Sequence, residues 1–187
     1  MIWLKDLLFL VAIPGMMVGG FPYLVLLTRG APPRWPSLAS LGFPACGLLL
    51  IAGGVAALLH CVAAFARRGR GTPFPLDPPR QLVVGGLYQY VRNPMYVAIL
   101  NIVLGESVLF RSGELIVYWF SVLLGFHLFV VLYEEPTLRK QFGREYGSYC
   151  RRVPRWVPTR RRLPLPEVLR PERPLPGATR GLDLSAD

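Results

Sequence analysis

Charge is scarce in this chain, and negative charge scarcest of all. Charged residues are 17 % of the 187, with 11 acidic groups against 21 basic ones. An ordinary soluble domain carries roughly 25 %, so a single soluble domain, which the length alone would suit, is disfavoured. Cysteine is rare as well: Cys46, Cys61 and Cys150 share no CxxC or other metal-ligand spacing. That argues for reduced thiols and against a metal site or a disulfide framework. Two histidines occur, His60 and His127, with no Ser–His–Asp or Cys–His set, so the sequence names no acid/base catalyst. No internal repeat is evident.

Apolar sequence is what the chain has in quantity, at 52 % hydrophobic residues. A net charge of +10 ordinarily suggests nucleic acid or an anionic membrane surface. The apolar runs decide for membrane lipids and against nucleic acid. A membrane helix needs about 20 mostly apolar residues, and residues 7–27, 38–66, 94–110 and 115–133 supply four such runs. The first follows Lys5, is too long for a signal-peptide core and lacks a prompt small-residue cleavage site, so it reads as a retained helix. It carries Pro14 and Pro22, tolerated in a bilayer when neighbours re-satisfy the backbone. Gly15 and Gly19 form a small-xxx-small pair suited to close helix packing. A short link at residues 29–36 and a tight turn at 111–113 close two hairpins.

Basic residues fix the direction. With the N-terminus inside, 18 of the Lys and Arg residues are cytoplasmic and Arg29, Arg34 and Arg111 are outside. The expectation is an all-α integral membrane protein of about four transmembrane helices, with room for a fifth re-entrant or interfacial one. Both termini are cytoplasmic, and a bacterial inner membrane is the expected location. Residues 1–158 form the transmembrane domain; residues 159–187, rich in Pro and Arg, form a disordered or surface-bound tail. The Arg160–Arg162 cluster suits anionic headgroups.

Two segments on the cytoplasmic face are too specific to be connectors. Residues 80–96 read RQLVVGGLYQYVRNPMY and lead into the third run; residues 134–154 read EEPTLRKQFGREYGSYCRRVP and leave the fourth. Tyr88, Tyr90 and Tyr96 offer surfaces that stack on a heterocycle or a cation, although interfacial tyrosines also serve as plain anchors. Glu134 and Glu135 are carboxylates at the end of a membrane helix, costly unless a cation or donors compensate them. Arg139 and loop arginines are the alternative compensation. Arg92 and the Arg151–Arg152 pair can serve a carboxylate or phosphate. Pro94 sits where a helix tolerates proline, and Asn93 is placed to cap that helix. His127, seven residues before Glu134, can face the same pocket or bond between helices. Asn101 keeps roughly the face of Asn93 and Ala98. Glu106, near the outer end, is expected to snorkel to the interface.

Taken together, Gly-x-Tyr-x-Tyr-Val-Arg-Asn-Pro-Met-Tyr, a hydrophobic hairpin, and Glu-Glu-x-x-Leu-x-x-x-Phe-Gly-x-Glu-Tyr-x-x-Tyr-x-x-x-Val-Pro resemble one superfamily. It is that of the isoprenylcysteine carboxyl methyltransferases and phospholipid methyltransferases, and the resemblance covers residues 80–158. It implies S-adenosyl-L-methionine as cofactor and a lipid-like or small hydrophobic methyl acceptor. It implies that Arg80, Gln81, Leu82 and Val83 line the adenosyl part, with Tyr88 nearby. Asn93, Pro94, Met95 and Tyr96 would cradle the methionine part, Glu134 would hold its α-amino group, and Glu135 would support Glu134. His127 and Arg92 are the candidate substrate contacts. Isoprenylcysteine enzymes usually have His where Asn93 stands and Arg where Val130 stands, and Ala98 replaces a usual Gly; isoprenylcysteine is therefore disfavoured as the acceptor. The Tyr-Cys-x-x-Val-Pro ending at Tyr149–Pro154 is shared with NADPH-dependent membrane sterol or enone reductases, the alternative enzyme class. A non-enzymatic membrane scaffold is the other alternative.

Overall fold

The structure is a computed structural model that describes residues 12–28, 42–68 and 82–159. Arg80, Gln81, the 29–36 link and the tail from residue 160 lie outside the described residues. Within them all regular structure is helical. α1 is Ala12–Leu27, α2 is Gly42–Arg68, α3 is Pro94–Leu109 and α4 is Gly113–Phe129. A π-helical turn, Val130–Glu134, joins α4 without a break to α5, Glu135–Arg152.

Each helix falls on an apolar run or a motif expected from the sequence. Two of them, over Gly42–Ala64 and Gly113–Arg152, are long and apolar enough to cross a membrane, whereas α1 and α3 are shorter apolar helices. Large apolar side chains point outward from α2, α4 and the π-helical turn that follows α4: Leu49 is 73 % exposed and Leu132 72 %, with Phe43, Leu59, Val117, Phe120 and Leu124 alongside. An apolar surface this extensive does not suit water, and it does suit hydrocarbon.

The interior is built around α3, where Ala98, Ile99, Leu100, Ile102, Val103 and Leu109 are buried. Its tightest neighbour is α2, because glycine lets the two backbones meet. A Cβ on Gly105 would stand 2.7 Å from the Gly47 carbonyl oxygen, and one on Gly47 equally close to that of Gly105. Gly15 and Gly19 do not play this part: nothing lies within 4 Å of a Cβ at either. Close packing sits on α2 and α3 because these are the crossing helices; α1 lies at the edge. The aromatic residues Trp119 and Tyr118 tie α4 to its neighbours, Trp119 Nε1 donating to the Leu100 carbonyl and Tyr118 Oη to that of Met17, each at 2.9 Å.

Both π-helical turns, Met16–Gly20 and Val130–Glu134, end two residues before a proline, Pro22 and Pro136. Proline lacks the N–H for the preceding turn, and its ring presses on the carbonyl four residues back. Widening the turn moves that carbonyl aside. In α1 the Phe21 N–H bonds to the Met16 carbonyl, and Pro22 has no N–H to offer Met17. The Tyr118 hydroxyl fills that vacancy.

Two further departures from sequence expectation concern polar groups. Asn93 precedes α3 but makes no side-chain cap; its Nδ2 donates instead to the Arg155 carbonyl at 3.2 Å. Glu106 does not reach out fully to solvent: its Oε2 is buried and finds no partner among the described residues. The expected tight turn is present, with Arg111 at φ 49° and the Ser112 Oγ accepting from the Leu115 N–H at 3.2 Å.

Candidate active site

The two motif segments meet. Residues 82–93 form a loop with one 3-10 turn, Gly86–Gln89, and residues 153–159 run beside it as a strap after α5. The Arg92 N–H donates to the Pro154 carbonyl at 2.9 Å and the Thr159 N–H to the Tyr90 carbonyl at 2.8 Å. Under this pairing lies a small core of Val84, Tyr146, Tyr149 and Val153, with Leu82, Leu138, Phe142 and Cys150 packed against it. The Tyr149 hydroxyl donates to the Tyr88 carbonyl at 2.8 Å, and burial pushes its pKa above the usual tyrosine value. Tyr146 and Tyr149 reach this core because α5 bends at Gly143, whose φ of 50° and ψ of −120° leave the helical region. L side chains seldom adopt that conformation.

At the head of α5 the two glutamates separate. Glu134 accepts from the Tyr96 hydroxyl at 3.0 Å, so the second motif is joined to the first across the site. Burial, helped by the charge of Glu135, holds the Glu134 carboxyl above its ordinary value, while the Tyr96 hydrogen bond works the other way. Glu135 is itself buried and takes Arg155 Nε at 2.7 Å, Arg155 Nη2 and Arg92 Nη1 at 3.0 Å, with Arg139 at 4.0 Å. Burial pushes its pKa up, but the Arg155 hydrogen bond and the three guanidinium charges prevail and lower it. Arg92 also donates to Cys150 Sγ at 2.8 Å. Among the described residues no cation pairs with Glu134.

Register along the α4–α5 rod decides what else faces Tyr96. In a plain α-helix residues seven apart share a face, which pointed to His127 beside Glu134. The π turn absorbs one residue, a rotation of about 100°. Phe126, eight residues before Glu134, therefore lies on that face, and its ring stacks on Tyr96 with centroids 4.5 Å apart. His127 turns to the strap, where its Nδ1 accepts from Trp156 Nε1 at 3.2 Å. Phe126 also closes one end of an apolar crevice of about 340 Å³ between α1 and α4, lined by Met17, Phe21, Tyr118, Ser121, Val122 and Gly125.

Of the expected site residues, Tyr96 and Glu134 are in direct contact, while Asn93, Arg92 and Glu135 are joined through Arg155 and the strap. Pro94 is buried at the start of α3, Met95 is half-buried next to Tyr96, and Leu82, Val83 and Tyr88 are half-buried in the loop. Phe126, Arg155 and Trp156 went unnoticed in the sequence. A tryptophan and an arginine between Pro154 and Pro158 were the available signal for the last two.

A family model for phospholipid methyltransferases matches residues 43–145. Protein-S-isoprenylcysteine O-methyltransferase B of Arabidopsis thaliana is 35 % identical over 78 residues, which are 42 % of this chain and 40 % of that protein. The chain thus spans about two-fifths of the length of that relative. No solved structure matches. The family match takes in α3, α4 and most of α2, with the Tyr96–Glu134 contact inside it, and the chain belongs to the phospholipid methyltransferase family, a family of membrane methyltransferases.

Proposed function

We propose that this protein transfers a methyl group from S-adenosyl-L-methionine to a lipid-like or small hydrophobic acceptor, at the cytoplasmic side of a membrane that it crosses four times with both termini inside. The observation that carries the reading is the state of Glu134. It is a half-buried carboxyl with one hydroxyl donor, Tyr96, and no cation among the described residues, while its neighbour holds the nearby arginines. A carboxylate so placed suits an ammonium brought by a ligand. The α-amino group of the methyl donor is such an ammonium, so the residues fit the cofactor.

When bound, the cofactor supplies an activated methyl on a sulfonium. The chain supplies position. Glu134 holds the ammonium, and Tyr96 fixes the carboxylate by its hydrogen bond and is itself fixed by stacking on Phe126. Asn93, Pro94 and Met95 flank it at the start of α3, with Leu82, Val83 and Tyr88 on the adenosyl side and Arg80 and Gln81 assigned there from the motif alone. Glu135 acts one step away, holding loop and strap together through Arg92 and Arg155. The apolar crevice that ends at Phe126 suits the acceptor's chain. Alignment of acceptor, methyl and sulfur is the main demand of an in-line displacement, and holding both reactants is worth roughly 7–11 kcal/mol.

Purified protein incubated with methyl-labelled S-adenosyl-L-methionine and a fractionated lipid extract tests this. Label entering one lipid species names the acceptor. Absence of label, together with no thermal stabilisation by S-adenosylhomocysteine, refutes it.

A further inference from the structure

On the strap, Trp156 bonds to a histidine of α4 that follows Phe126, the end of the apolar crevice. An indole N–H only donates, so the Trp156 bond to His127 Nδ1 requires a lone pair there. The single proton of a neutral imidazole is then on Nε2, and among the described residues nothing accepts it. His127 is only half-buried and its Nε2 keeps access to its surroundings, so that N–H is open to an incoming acceptor. Trp156 cannot easily swing away, since the strap is pinned on both sides of it by the Arg155–Glu135 pair and the Thr159–Tyr90 bond. His127 adjoins Phe126, the wall shared by the crevice and the Tyr96 ring.

We infer that Trp156 is a positioning residue that fixes the tautomer of His127, leaving Nε2–H to receive an oxygen on the polar head of a long-chain acceptor. The inference rests on the methyl-transfer reading of the site. The head it fits carries an oxygen acceptor without charge: an ester, amide or ketone carbonyl, or a hydroxyl. A neutral imidazole brings one N–H and no charge, which suits a neutral oxygen, while Arg92 and Arg155 bond to Glu135.

The full chain with ¹⁵N-histidine in detergent micelles provides the test, since only two imidazoles contribute and H127F identifies the one of interest. In the wild type, His127 should show an unprotonated Nδ1 and a protonated Nε2. A long-chain methyl ester should move the Nε2 resonance, and an alkane of equal length should not. In W156F the tautomer preference should be lost and the ester response weakened. With an identified acceptor, KM for it should rise about tenfold in W156F, with kcat and S-adenosylhomocysteine affinity within about twofold; tenfold is the loss of a hydrogen bond of ordinary strength. A proton on Nδ1 in the wild type, an Nε2 indifferent to the ester, or an unchanged KM in W156F overturns the inference. An ester response in a protein that transfers no methyl group refutes the proposed function alone. Methyl transfer with a silent Nε2 refutes this inference alone.

Discussion

Glu134 and Glu135 are neighbours in the chain that turn to different partners: Glu134 to the Tyr96 hydroxyl, Glu135 to Arg92 and Arg155. The expected effects of E134Q and E135Q differ accordingly. E134Q removes the charge proposed to hold an ammonium, a charge-assisted contact of about 1.5–3 kcal/mol. S-adenosylhomocysteine should bind roughly 10- to 150-fold more weakly, with the melting temperature of the free protein little changed. E135Q leaves the half-buried Arg92 and Arg155 without their counter-charge, a loss of about 1.5–3 kcal/mol, and should show first as a fall in melting temperature. Calorimetric titration and thermal unfolding of both variants check the split.

Acid should reach the two carboxylates in turn, Glu134 before Glu135. Burial raises the Glu134 pKa above its ordinary 4.5, so as pH falls this group is protonated early and loses its hold on an ammonium. Cofactor affinity should drop on the acid side while the protein is still folded, and E134Q should abolish that dependence. The Glu135 pKa is lowered from 4.5 despite burial, through the Arg155 hydrogen bond and the guanidinium charges. Its ionised form stabilises the fold above the unfolded-state value, and that contribution is lost as pH falls through the lower folded value. Unfolding below about pH 4.5 should therefore come after the loss of binding. Binding and melting temperature measured across one pH series check the order.

Y96F separates the hydroxyl from the ring. Stacking on Phe126 survives and the bond to Glu134 is lost. A hydroxyl donor to a carboxylate is a charge-assisted bond of about 1.5–3 kcal/mol, so cofactor affinity should fall by at most roughly 10- to 150-fold. Y96A, which also removes the stack, should lose more. Equal losses in the two variants would show that the hydroxyl alone matters.

Hydropathy made the helices legible because a bilayer demands long apolar runs, and α2, α3 and α4 lie where the composition put them. Motif residues that touch, Tyr96 and Glu134, were legible because the resemblance paired them. Register was not. The spacing of His127 and Glu134 presumed a uniform helix, and Pro136 changes the turn between them. The role of Asn93 was misread because a cap is a local expectation, whereas its side chain answers a strap about sixty residues later. Gly15 and Gly19 had the spacing for close packing, but which helices cross is a tertiary fact, and the glycines that meet are Gly47 and Gly105.

The π turn gives a prediction that separates register from composition. Phe126 and Glu134 share the Tyr96 face at a spacing of eight only because one residue is absorbed between them. Deleting Leu132, whose side chain is 72 % exposed and packs on little, leaves a spacing of seven, which a plain α-helix also brings onto one face. Pro136→Ala in the same protein restores the N–H that such a helix needs. That double variant should keep S-adenosylhomocysteine affinity within about tenfold of wild type, a difference of about 1.4 kcal/mol. Inserting one alanine after Leu132 instead turns Phe126 about 100° away from Glu134 and should cost more than about 100-fold. If the deletion harms binding as much as the insertion, the wide turn itself, and not the alignment it produces, is what the site requires.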